Sequence, residues 1–147
     1  FTLANNSIFG SIPIAMENLH NLEAIWLSDN QFSGLIPPEI GRLPKLYEVY
    51  MENNLLSGNV PSSFGNLSRL TDLHLENNNL QGTIPSTLSQ CPNLLNLILG
   101  GNNFTGIILL EEAHGCTDST AQQAYSKGVH SKHMGLQTAQ HSKTARV

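Results

Sequence analysis

Residues 70–90 read LTDLHLENNNLQGTIPSTLSQ, and this stretch decides the fold because the chain repeats it. Residues 46–65, 24 positions earlier, read LYEVYMENNLLSGNVPSSFG, and residues 22–41, another 24 back, read LEAIWLSDNQFSGLIPPEIG. Leu22, Leu46, Leu70 and Leu94 head successive units. A fixed period of this size marks a solenoid, in which each unit buries its apolar face only against its neighbours. Solenoids act through the surface their repeats display, so binding is the first functional expectation.

Each column of the repeat has a physical task. Leu73 and Leu75 alternate with polar neighbours, as do Ile25 with Leu27, Val49 with Met51 and Leu97 with Leu99. Alternation of this kind is the signature of a half-buried strand. It predicts short parallel strands that stack one repeat apart over a common leucine core. Asn6, Asn30, Asn54, Asn78 and Asn102 follow the strands in phase. An unpaired buried backbone group costs about 1–3 kcal/mol, so these residues are expected to form a buried ladder bracing each bend. Gly10, Gly34, Gly58, Gly82 and Gly106 supply positions free to take positive φ. Pro13, Pro37, Pro61 and Pro85 come next and lack an amide donor, which predicts that this side of the coil carries no full sheet ladder. Met16 with Leu19, Ile40 with Leu43, Phe64 with Leu67 and Leu88 with Cys91 are expected to fill the convex side as short 3₁₀ turns.

These columns resemble the leucine-rich repeat. The G-x-I-P segment resembles the plant-specific variety found in ectodomains of plant receptor-like kinases and in secreted inhibitors of cell-wall polygalacturonases. The resemblance covers residues 1–108 and leaves 109–147 as an irregular, mostly disordered tail. It implies an α/β solenoid, a right-handed leucine-rich-repeat coil with a parallel concave sheet and a 3₁₀/loop convex side. It also implies recognition of a peptide or protein ligand, or of a co-receptor ectodomain, at the extracellular face of the plasma membrane, with any kinase domain lying elsewhere in a longer parent. A secreted polygalacturonase-inhibitor-like protein is the alternative. Three N-x-[ST] sequons, at Asn5, Asn66 and Asn103, agree with an extracellular setting and are expected glycosylation sites.

Composition narrows the partners. The repeat region carries three basic residues (Arg42, Lys45, Arg69) against eight acidic ones, whereas nucleic-acid binding requires a basic footprint. No apolar run approaches the roughly 20 residues needed to span a bilayer. The chain begins at Phe1 inside a repeat, without a charged-then-apolar leader, and reads as a piece of a longer gene product. Cys91 falls on the column of Leu19, Leu43 and Leu67 and reads as a buried thiol, although a bridge to Cys116 stays open.

Neighbours of the buried strand residues must face outward. The central outward column is Trp26, Tyr50, His74 and Ile98, preceded by Ala24, Glu48, Asp72 and Asn96. Ser28, Glu52, Glu76 and Gly100 follow, and then Asp29, Asn53, Asn77 and Gly101. Strands about 4.8 Å apart would stack Trp26, Tyr50 and His74 into an aromatic stripe beside five carboxylates: Asp29, Glu48, Glu52, Asp72 and Glu76. Such a stripe suits a basic peptide or protein surface. Paired carboxylates such as Glu52 with Glu76, or Asp72 with His74, resemble acid/base pairs, but an open sheet implies no pocket to tune them. The chain has no glycine-rich phosphate loop followed by lysine, no kinase catalytic segment and no nucleophile elbow. No enzyme activity, cofactor or metal is expected.

The repeat loses phase at Leu109, where the period calls for proline. Beyond it the sequence suggests a short helix over 118–126 and then disorder, as a frame change or intron read-through would produce. His114, His130, His133 and His141 cluster there without the second cysteine pair a metal site would need.

Overall fold

The computed structural model describes residues 1–105 and 145–146. The boundary at 108, the helix over 118–126, Gly106, Cys116 and the four tail histidines lie outside the described residues. In chain order the strands are β1 (Phe9–Ser11), β2 (Ala24–Trp26), β3 (Gln31–Leu35), β4 (Glu48–Tyr50), β5 (Leu55–Gly58), β6 (Asp72–His74), β7 (Asn79–Gly82), β8 (Asn96–Ile98), β9 (Asn103–Phe104) and β10 (Ala145–Arg146). Four 3₁₀ turns, Ile14–Asn18, Pro38–Arg42, Ser62–Asn66 and Ser86–Gln90, alternate with them.

Strands β2, β4, β6 and β8 form the expected parallel sheet, in the order β10-β8-β6-β4-β2. Trp26 pairs with Tyr50, Tyr50 with His74 and His74 with Ile98, so the register equals the sequence period. The ladder runs one residue past each strand: Leu27 N–H donates to Tyr50 O at 2.7 Å, Met51 to His74 at 2.9 Å and Leu75 to Ile98 at 2.9 Å. Leu27, Met51, Leu75 and Leu99 are all buried beneath it and form the hydrophobic spine the alternation predicts. The open edge of β8 is taken up by β10, which pairs Ala145 with Leu97 and Arg146 with Ile98. An exposed strand edge is a ready template for such pairing.

A second parallel sheet, β1-β3-β5-β7-β9, corrects the expectation that prolines exclude a ladder beyond the asparagine bend. Its strands end before Pro13, Pro37, Pro61 and Pro85, so no ladder position lacks an amide. Proline instead opens the convex side, where each of these four is the residue just before a 3₁₀ turn. The glycine column behaves as expected: Gly34, Gly58 and Gly82 have φ of 78°, 76° and 76°.

The asparagine ladder joins the two sheets. Asn54 Nδ2 donates to Met51 O at 3.2 Å and Glu52 O at 3.1 Å within its own bend, and to Leu27 O one coil back at 2.9 Å. Its Oδ1 accepts from Phe32 N–H at 2.9 Å, so one amide serves two coils. Asn30, Asn78 and Asn102 repeat the pattern toward Ile8, Leu56 and Leu80. Asn6 differs: it is exposed and its amide serves only Leu3 and Ala4, because it belongs to the first coil and has none behind it. Leu19, likewise expected in the core, is 46% exposed in the turn of that first coil, whereas Leu43 and Leu67 have coils on both sides and are buried. Cys91 is a free, buried thiol that donates to Phe64 O at 3.2 Å.

Asn54→Ala is expected to strand the Phe32 amide and leave the Leu27 carbonyl with Asn30 alone as its side-chain donor, destabilising the coil by about 1–3 kcal/mol in a thermal or urea melt. Burial pushes the Cys91 thiol up to about 11. In a Cys116→Ser background, alkylation of Cys91 at pH 8 should be negligible in the native chain and rapid in urea. Because the thiolate forms more readily in the unfolded chain, stability should fall as pH rises from about 9 toward 11.

Candidate functional site

The outward face of the first sheet is set by the strand alternation that buries Ile25, Val49, Leu73 and Leu97. Trp26 and Tyr50 stack with ring centroids 6.1 Å apart and planes 20° apart. Tyr50 and His74 follow at 4.5 Å, tilted by 51°. The stripe is therefore contiguous, with Trp26 40% exposed and Tyr50 and His74 half-buried beside it.

The five carboxylates divide into two groups. Glu48 Oε2 accepts from the Trp26 indole at 3.0 Å, which fixes the outermost ring. Asp72 Oδ1 accepts from Asn96 Nδ2 at 2.6 Å. Asp29 Oδ1 accepts from Asn53 Nδ2 at 2.8 Å, and Asn53 in turn accepts from Asn77 at 2.8 Å. Glu52 and Glu76 are different: the Oε2 of each is shielded from solvent and has no hydrogen-bond partner among the described residues. Burial raises the Glu76 carboxyl above the usual range, its own backbone amide and His74 oppose that, and Glu52 adds to it. Burial, then the carboxylates of Asp72, Glu48 and Glu52, raise the Tyr50 phenol, so at neutral pH it stays a donor.

Ser28, expected in the outward column with Glu52 and Glu76, is buried. Its short side chain does not reach past its neighbours as glutamate does. The outer ladder from Asp29 through Asn53 to Asn77 was missed by the sequence reading. Its signal was present, since these polar residues recur at the repeat period. Asp29, Asn53 and Asn77 have φ near 55°, the left-handed conformation that asparagine and aspartate tolerate better than most side chains. An open groove of about 930 Å³ on the coil's flank is lined by residues such as Leu35, Val60, Ile84 and Thr87, and among the described residues no ionisable side chain lines it. No helix of the described residues is long and apolar enough to cross a membrane.

Residues 44–104 match a family described as leucine rich repeat, and residues 21–43 match a second of the same description, so the chain belongs to the leucine-rich repeat family. Among solved structures, it is similar to the plant peptide hormone receptor RGFR1 in complex with RGF2, at 38% identity over 71% of this chain and 17% of that one, with a TM-score of 0.70. The Arabidopsis receptor kinase HAESA in complex with the peptide hormone IDA and the co-receptor SERK1 matches at 40% identity over 71% of this chain and 18% of that chain, with a TM-score of 0.68. The ectodomain of the receptor kinase SOBIR1 from Arabidopsis thaliana matches at 32% identity over 74% of this chain and 58% of that chain, with a TM-score of 0.70. This chain thus spans less than a fifth of the first two. No curated protein matches the sequence at a significant level.

Asn5, Asn66 and Asn103 are all exposed, so the three sequons are open to modification. Secretion from plant cells followed by glycosidase treatment should lower the mass of the chain, and each Asn→Gln replacement should remove one step of that loss. A secreted chain with no change in mass would exclude glycosylation.

Proposed function

We propose that this chain is part of the extracellular domain of a plant receptor-like protein kinase, where it recognises a peptide or protein of positive character, or a co-receptor ectodomain, through Trp26, Tyr50 and His74. The observation that carries this reading is the contiguous aromatic stack held against the acidic flank of Glu48, Glu52, Asp72 and Glu76. Exposed aromatics supply large contact area at low cost in side-chain entropy, and the surrounding carboxylates attract and orient a cationic partner. The solved relatives add support: the receptor kinase HAESA is seen with the peptide hormone IDA and the co-receptor SERK1, and the peptide hormone receptor RGFR1 with RGF2. The acidic pairs sit on an open sheet with no enclosing pocket, so contact rather than catalysis is what the face offers.

The test is a panel of lysine- and arginine-bearing peptides, with acidic peptides of matched length as controls, titrated against the full 147-residue chain. Basic peptides should bind more tightly, and the preference should shrink as ionic strength rises. The double variant Trp26→Ala/Tyr50→Ala should abolish that binding while circular dichroism stays that of the parent. Equal affinity in parent and variant would remove the stripe from consideration.

A further inference from the structure

Glu52, His74 and Glu76 stand in a relation that the aromatic stripe does not use. Each offers one ligand atom, a carboxylate oxygen or an imidazole nitrogen, and the three atoms lie within 4.8 Å of one another. The repeat explains the placement: Glu52 and Glu76 are one period apart in the same column, while His74 and Glu76 are two residues apart on one face. We propose that these three side chains form a binding site for a divalent transition-metal ion, with Zn²⁺ the ion their donor set fits.

Three observations beyond proximity support the site. The Oε2 atoms of Glu52 and Glu76 are shut off from solvent and accept no hydrogen bond among the described residues, whereas Asp29, Glu48 and Asp72 each have a donor. Shielding a carboxylate oxygen without a partner is costly, and two carboxylates with oxygens within 4.8 Å of each other repel until a cation lies between them. Among the described residues the coil's cations are engaged or placed elsewhere: Arg42 pairs with Glu17 at 2.8 Å, Lys45 donates to Asn21 at 2.7 Å, and Arg69 lines a separate groove with Tyr47 and Pro92. His74 is also held in place by its ring contact with Tyr50, so the nitrogen donor is oriented before any ion arrives.

The donor chemistry selects the ion. Imidazole suits Zn²⁺ and its transition-metal neighbours, whereas Ca²⁺ and Mg²⁺ prefer all-oxygen shells of six or more ligands. Three protein donors around Zn²⁺ leave a fourth position open on the outward face. Donors around a tetrahedral Zn²⁺ lie roughly 3.3 Å apart, so rotation of the flexible glutamate side chains draws the three atoms inward. An ion there would neutralise two of the five carboxylates and offer its open position to a carboxylate or imidazole of a partner. The site does not depend on the recognition reading and is tested without any peptide.

The experiment is calorimetric titration of the full chain with ZnCl₂ in a non-chelating buffer. Because the chain also carries tail histidines, the decisive comparison is with Glu52→Gln/Glu76→Gln and, separately, His74→Gln, both chosen to preserve shape. Each should weaken or remove one Zn²⁺ equivalent by at least about tenfold with unchanged circular dichroism. The control is Glu39→Gln, since Glu39 also has an unpartnered Oε2 but belongs to no group of three ligating side chains among the described residues. It should bind as the parent does. Parent-like binding by the Glu52/Glu76 and His74 variants, an equal loss in the control, or no uptake of Zn²⁺ by the parent would each overturn the site.

Discussion

The hydrogen bonds of Asn30, Asn54, Asn78 and Asn102 are the constraint on which the rest depends. At each bend the chain leaves one sheet for the other, and the carbonyls of the turn point inward where water does not reach. A single carboxamide accepts from one backbone amide and donates to as many as three carbonyls, including one in the preceding coil. Each bend is thereby tied to the coil before it, and the coils are locked at a common phase. The leucine spine adds burial but is tolerant of small slips, since dispersion and hydrophobic burial have no direction. The amide bonds are directional and set the register.

Register is what turns a repeated sequence into a surface. Because Trp26, Tyr50 and His74 occupy one column, pairing at the repeat period brings their rings within stacking distance. The same pairing carries the acidic residues into adjacent rows. The 3₁₀ turns and the second sheet do not take part in this display. Their work is to hold the spacing between coils, and Gly41 and Gly65 show how tight that spacing is: a Cβ on either would meet the backbone of Ser63 or Thr87 in the next coil.

Much of the candidate site was legible before any coordinates. Alternation in LHLEN told which residues face out, and the period told which become neighbours. The states of the individual carboxylates were not legible. Glu48 and Glu52 are both glutamates on one outward face, yet the first accepts from the Trp26 indole while the second keeps an oxygen without a donor. That difference follows from rotamers and from where a neighbouring donor falls, at a scale finer than any column. The burial of Ser28 and the exposure of Leu19 escaped for a related reason: burial depends on the coils to either side, and the column alone does not report them.

The sequence by itself determined the period, the parallel stacking, the buried spine and the asparagine ladder, because each rests on a residue type repeated in phase. Only the tertiary structure decided that the backbone before each proline forms a second sheet, since a proline limits pairing only at its own position. It alone decided which acidic groups are satisfied and which keep an oxygen without a donor, because that depends on distances between side chains that the order of residues does not specify.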